Sequence, residues 1–541
     1  MADLFRRKSI EELQKEPTDT THTLKRTLGP WALMALGIGA IIGAGLFVRT
    51  AAAAANYAGP SVTLAFVVAG IGCAFAGLCY AEFASMIPVA GSAYTYSYAT
   101  MGEFVAWIIG WDLVLEYAIG AATVSIAWSE YLNKFLSYFG IQIPYGWCHS
   151  PLEHINMVMG DSNIAQFPAE IAKMAKHGLL ILKDDQLSGL PDAAKALVTT
   201  SHGIMNIPAL FILLVLTLLL IRGMKESAFV NGLIVITKVS IVLLVITLGW
   251  HFMVPANHTP FIPPSSIYMD NQGVAHTYGG LMGILGAAGV VFFAFIGFDA
   301  VSTAAQEAKD PGKDMPIGIL GSLVICTVLY ILFSYVLTGI ANVEDFRANG
   351  KEASVAYAIQ HYMLGYGWLA KLVTVAILAG FSSVILVMLM GQSRVFYSMS
   401  HDGLVPKIFS DVHPKFRTPY KSNWLFFVFT GLFAAFIPED IVGDMTSIGT
   451  LFAFILVCAG IWILRVKRPE LPRKFRTPGI FEFKGTNQRF VIPVVPILGM
   501  FVCGAMIFGL GWTNWLRLGV WLVIGFVIYF GYGVRNSKLN K

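Results

Sequence analysis

Long apolar runs alternate with short polar segments along almost the whole chain. Runs at 210–221, 232–250, 318–337, 368–390, 424–436, 447–464 and 491–510 lie in stretches near the ~20 residues a helix needs to cross a hydrocarbon core. Reading each run between its polar flanks gives twelve spans, at about 31–50, 60–85, 103–133, 204–222, 230–253, 280–304, 316–341, 367–398, 424–437, 445–465, 492–511 and 514–533. The pattern predicts an all-α integral membrane protein. One connection, 134–203, is too long for a simple turn. Within it 168–183 and 190–199 carry weak helical patterns, and 161–163 and 184–185 read as turns. It is read as a cap on the outer face, with a solvated loop as the alternative.

Two spans are interrupted. The first reads GIGAIIGAG over 37–45, six glycines or alanines in nine positions. Each glycine in a helix interior costs roughly 0.5–1 kcal/mol relative to alanine. A Gly-rich phosphate loop would need a preceding strand and a following soluble helix, and bilayer residues flank this stretch instead. The sixth span reads VFFAFIGFD over 291–299, again with glycine and now with an acid at mid-membrane. The second break comes five spans after the first, so the second copy of a five-span repeat enters the membrane inverted. Glycine-interrupted helices at matching positions of inverted halves mark a secondary-transporter site near the midplane. At such a break, freed N–H groups with the positive helix end bind a carboxylate, and freed carbonyls accept from an ammonium. A zwitterionic α-amino acid suits both ends; close packing of small residues is the alternative.

The repeat divides the chain into a cytoplasmic N-terminal segment 1–30, a first five-helix repeat 31–253 and a second repeat 280–465. A cytoplasmic loop 466–491, two further helices 492–533 and a tail 534–541 follow.

Charge sets the orientation. With both termini inside, the inner segments hold 25 lysines and arginines, and the short outer loops hold Arg347 and Lys351, as the positive-inside rule requires. The net charge of +5 therefore reflects topology and calls for no nucleic-acid partner. The first 30 residues lack the apolar core of a cleavable signal, which suits a bacterial inner membrane. Five of the six cysteines fall in spans, leaving Cys148 with no partner for an outer disulfide. Histidines show no metal spacing, and no nucleophile–base set shares a depth, so neither a metal, a cofactor nor an enzyme activity is expected.

Charged groups at membrane depth are functional by default. Lys238, in the fifth span, is either a snorkelling lysine or an ammonium that ties spans one and eight together and exchanges a proton. Asp112 and Glu116 sit at i, i+4 on one face of the third span. Asp112 reads as structural; Glu116, the deeper, reads as a substrate or protonation site. Asp299 caps the second half of span six or meets substrate. Glu82 and Glu307, near the inner ends, suit a cytoplasmic gate or ion pairs.

Six motifs in order now resemble a family: GIGAIIGAGLF (37–47), GSAYTYSYA (91–99), GWDLVLEYA (110–118), RGMKESAFVNG (222–232) running on to Lys238, FAFIGFDAV (293–301) with QEAKDP (306–311), and GQSRVFYSMSHDGLVPK (391–407). Over about 25–535 the chain resembles the amino acid–polyamine–organocation superfamily, and within it the cationic amino acid transporter-like branch. The resemblance implies a five-plus-five inverted core of the LeuT-like kind, with broken helices one and six and two extra helices. It implies a substrate carboxylate on the backbone of Gly43, Ala44 and Gly45 beside Ile41, and an amino group on carbonyls of Phe293, Ala294 and Ile296. It places Lys238 where sodium-coupled relatives hold a sodium ion, matches Glu116 to an acid of this branch, and puts the side-chain pocket near 119–124, Phe298, Ser382 and Ser383. Phe293 and Phe298 are the expected gates.

Two features depart from the family pattern. The loop at 134–203 is longer than usual, and the pocket near Ser382 and Ser383 has no acid for a cationic side chain. The expected activity is proton-coupled amino acid symport by alternating access. The alternatives are an exchanger of cationic amino acids or polyamines, or an amino acid sensor that does not transport. An accessory subunit stays open.

Overall fold

The structure, a computed structural model, describes residues 5–9, 28–43, 45–87, 91–167, 179–182, 187, 190, 192–222, 227–269, 275–348, 354–416, 418–484 and 489–540. A helix lies on every predicted span. Eight helical stretches among the described residues are long and apolar enough to cross a bilayer, and Pro30–Ile41, Ile207–Arg222 and Val494–Gly509 are shorter apolar helices. In lipid a helix satisfies its own backbone polar groups, which is why apolar runs of this length fold this way. Local signals place the ends. Pro30 and Pro311 open their helices, where the missing N–H costs nothing. Glu439 and Asp440 lie in the first turn of Glu439–Lys467, and Arg465 and Lys467 in its last, each complementing the helix dipole.

Two boundaries differ from expectation. The helical path of the first span resumes after its break and runs through Gly45–Arg49, Thr50–Ala53 and Ala54–Ala58, past the predicted end at 50. The tenth begins at Glu439 rather than 445, because acids at a helix N-terminus extend it beyond its apolar run.

The helix Pro311–Ile340 packs against Pro30–Ile41 and Val62–Met86, and Gly367–His401 packs against Gly120–Ser137. The core between them is nearly continuous, from Leu33 through Tyr330 to Phe454. At the periphery Trp512–Ile528 exposes Trp512, Val520, Val523 and Val527, apolar surface of the kind lipid covers.

The long connection folds on itself. β1 (His154–Met159) pairs antiparallel with β2 (Leu179–Leu182) and β3 (Thr199–His202), in the order β2-β1-β3. Val158, Ile164, Phe167, Leu180 and Leu182 form its own small core. Of the stretch expected as helix over 168–183, the described residues 179–182 form a strand, since a four-residue apolar run, Leu-Leu-Ile-Leu, suits a strand better than a helix; 168–178 and 183 lie outside the described residues. The one expected over 190–199 is a single turn, Asp192–Lys195, followed by β3. Residues 161–163 open a short helix, Asp161–Ile164, and 184–185 lie outside the described residues.

The two chain ends meet. Arg6 Nη1 donates to the Leu539 carbonyl at 2.6 Å. The Glu103 carboxylate receives the hydroxyls of Tyr98 (2.8 Å), Tyr529 (3.2 Å) and Ser537. Among the described residues no two cysteines are joined in a disulfide.

Candidate functional site

The two breaks cross. Helix Pro30–Ile41 ends as Ile42 turns extended, at φ −72°, ψ 104°, and helical structure resumes at Gly45. Helix Gly280–Val291 tightens into Phe292–Phe295, opens at Ile296 (ψ 136°) and resumes at Asp299–Glu307. Gly45 lies directly on the backbone of Ala294, where any Cβ would collide. Gly297 has φ +108°, a conformation for glycine, and a Cβ there would stand 3.0 Å from the Ala40 carbonyl oxygen. The small residues at both interruptions therefore let two backbones touch.

Tyr330 joins them. Its hydroxyl lies 2.9 Å from the Ile41 carbonyl oxygen and 2.9 Å from that of Ala294, one from each broken helix. The Phe293 carbonyl accepts the Ile296 N–H at 3.3 Å. Ile41, Phe293, Ala294, Ile296 and Phe298 are all buried, and Phe298 stacks edge-on to Tyr80 and lies against Phe454. Ala44 lies outside the described residues. Val384, next to Ser383, faces Gly43. The Ser382 hydroxyl bonds back to the Leu378 carbonyl at 2.9 Å within its own helix.

Lys238 reaches inward rather than toward the membrane surface. Its Nζ donates to the carbonyls of Gly39 (2.8 Å) and Ile42 (2.9 Å), at the C-terminal end of a half-helix where the dipole favours a cation. Its aliphatic stem passes Gly380, whose missing Cβ leaves the room. One side chain from the fifth span thus touches the first and the eighth.

The carboxyls gather behind the second break. The third span widens to π geometry at Leu115–Ile119, a distortion common at functional sites. Within it Glu116 lies close enough to Asp299 and Asp112 for their charges to interact, and no hydrogen-bond donor among the described residues reaches either Glu116 oxygen. Asp299 is the first residue of its helix rather than the residue before it. Its carboxylate accepts the Tyr117 hydroxyl and lies against the N–H groups of its own first turn.

Charge networks close both ends. Arg49, on the second half of span one, is buried with Glu439 and Asp440 at 3.6 Å and Asp444 at 3.4 Å. Its guanidinium also lies over the Phe293 ring, 5.7 Å from the centroid. At the other end Glu82 is fully buried. It pairs with Arg465, lies 3.1 Å from Arg473, and accepts the Thr477 N–H and hydroxyl at 2.9 Å. Lys474 bonds Asp310 at 3.1 Å and holds that carboxyl below its ordinary range. The side chain of Glu307 lies outside the described residues.

Sequence reading passed over Tyr330 and Arg49. An arginine inside an apolar span, with three acids at 439, 440 and 444 beyond another, was a legible signal. A tyrosine among apolar residues gave none.

The family model described as amino acid permease matches residues 28–532. The chain is 41% identical to the branched-chain amino acid permease BcaP of Bacillus subtilis, over 99% of each chain. It is 35% identical to the methylthioribose transporter of the same organism over 100% of each. It is also 30% identical to cationic amino acid transporter 4, vacuolar, of Arabidopsis thaliana, over 87% of this chain and 68% of that one.

Proposed function

Because this chain belongs to the amino acid permease family, we propose that it is a proton-coupled symporter of amino acids in the cell membrane, working by alternating access. Its twelve spans form two inverted five-helix repeats plus two helices, with both termini in the cytoplasm. The observation that carries this reading is the crossing of the two broken helices, with Lys238 on the carbonyls of one and Glu116 and Asp299 behind the other.

The substrate carboxylate lies on the backbone at 43–45. The amino group meets the carbonyls at 293–296, with Tyr330 yielding the Ala294 carbonyl as the breaks separate. Lys238 loads and loses the coupling proton, and its loss frees Gly39 and Ile42 to move. Two buried carboxyls close enough for their charges to interact resist ionising together, which suits Glu116 and Asp299 to a second protonation step. Ile41, Ile119, Val124 and Val384, which would line the side-chain site, are buried and apolar, which favours an aliphatic side chain. A relative named a branched-chain permease agrees with that choice.

The test is uptake of labelled leucine into proteoliposomes under an inward proton gradient. Lys238→Ala abolishes gradient-driven uptake, whereas normal pH-dependent uptake by that variant rejects the coupling. Isoamylamine, which lacks the carboxylate, fails to compete; equal competition by it rejects carboxylate binding at 43–45. Arginine and methylthioribose complete the panel, and uptake of either in place of leucine moves the substrate class.

A further inference from the structure

On the face where the chain ends meet, residues 5–9 lie across the protein as a docked strap. The Glu103 N–H donates to the Arg6 carbonyl at 2.9 Å and the Lys8 N–H to that of Tyr98 at 3.4 Å. The Phe5 backbone sits 2.6 Å from where a Cβ on Gly102 would stand, a residue at φ +102°. The strap is therefore fixed by its backbone.

Between the strap and the C-terminal end of Glu439–Lys467 lies a cavity of about 190 Å³. Arg7 and Lys8 form one wall, Lys467 and Arg468 the other, and Ile463 and Leu464 supply an apolar side. Among the described residues that line it none is acidic. Asp402 offsets Lys8 at 2.8 Å and Glu470 offsets Arg468 at 2.7 Å. Arg7 and Lys467 have no carboxylate at ion-pair distance among the described residues. The helix C-terminus accounts for Lys467, but it does not account for a strap that brings two further cations opposite. Positive charge concentrated around a cavity favours the entry of an anion.

We infer that this cavity binds a phosphate-bearing anion, either the headgroup of an anionic phospholipid or a soluble phosphate. Its volume equals about six waters of liquid at ~30 Å³ each, room for a phosphodiester. It lies at the end of a membrane-crossing helix, the depth at which headgroups sit, and basic pockets there take anionic lipid. The bound anion ties the N-terminal strap to the helix whose other end holds Arg49.

Native mass spectrometry and thermal shift on the full chain in neutral detergent test this, with dihexanoyl phosphatidylglycerol, dihexanoyl phosphatidylcholine and inorganic phosphate as probes. Phosphatidylglycerol binds saturably and phosphatidylcholine does not. Phosphate competing for the site assigns it to the phosphate group alone, and phosphatidylglycerol binding without such competition assigns it to the lipid. The Arg7→Gln/Lys467→Gln pair weakens binding roughly 30-fold, about 1 kcal/mol per cation, while Arg7→Lys/Lys467→Arg retains it. If the neutral pair does not purify folded, Arg7→Gln alone carries the test at about fivefold. Equal binding of both lipids, no saturable binding of either anion, or unchanged affinity in the neutral variants overturns the inference.

Discussion

Tyr330 is one hydroxyl serving two carbonyls that belong to different broken helices. A buried hydrogen bond of this kind contributes about 0.5–1.5 kcal/mol, and an orphaned carbonyl costs more. Tyr330→Phe keeps the ring, which packs against Phe66 and Phe295, and removes only the bridge. Initial uptake rates are expected to fall about tenfold, equivalent to about 1.4 kcal/mol, with the thermal midpoint moved by only a few degrees. Unchanged rates would mean that the bridge is incidental. Lys238 acts at the same scale: its ammonium makes two carbonyl bonds, so alanine there removes a charge and two hydrogen bonds at once. The difference between the two variants separates proton coupling from simple fastening.

At the scale of elements, Arg49 fastens the second half of span one to the start of Glu439–Lys467. Three carboxylates face one guanidinium, and Glu439 is itself buried. Removing one partner of a buried ion pair is costly because the remaining charge is left without compensation. Arg49→Ala is expected to lower stability by about 3 kcal/mol, read as a drop in the thermal midpoint of the purified protein. Adding Glu439→Gln to it should recover part of the loss. A midpoint that stays put in the single variant would show that water already screens the acids. Arg49→Lys does not substitute fully, since one compact ammonium cannot present a planar fork to several carboxylates.

The whole molecule puts its charge networks at opposite ends of one helix. Glu439 and Asp444 near the start of Glu439–Lys467 hold Arg49, and Arg465 near its end holds Glu82. The chain termini meet on the Arg465 side of the fold, through Glu103 and Ser537. The proposed topology places that side in the cytoplasm. In a cysteine-free background, Met159→Cys on the exposed rim of β1 should react with an impermeant maleimide added to intact cells. Lys538→Cys, at the exposed C-terminal end, should react only after the cells are opened. The reverse pattern would invert the topology.

The apolar runs alone determined where helices lie, because a bilayer leaves a chain of this composition no other way to satisfy its backbone. The glycines at 37–45 and 297 likewise mark both breaks in advance, since so costly a residue in mid-span calls for a break or a close backbone approach. Local signals fail where an apolar run is short or a helix starts on acids: Leu179–Leu182 fits a helical pattern and forms a strand, and Glu439 opens a helix whose apolar run begins later. Only the tertiary structure decided which groups meet. Tyr330 with Ile41, Lys238 with Gly39 and Ile42, and Arg49 with Glu439 are each separated by hundreds of residues. Local pattern records how a helix faces its solvent, and these contacts depend on which helix lies beside it.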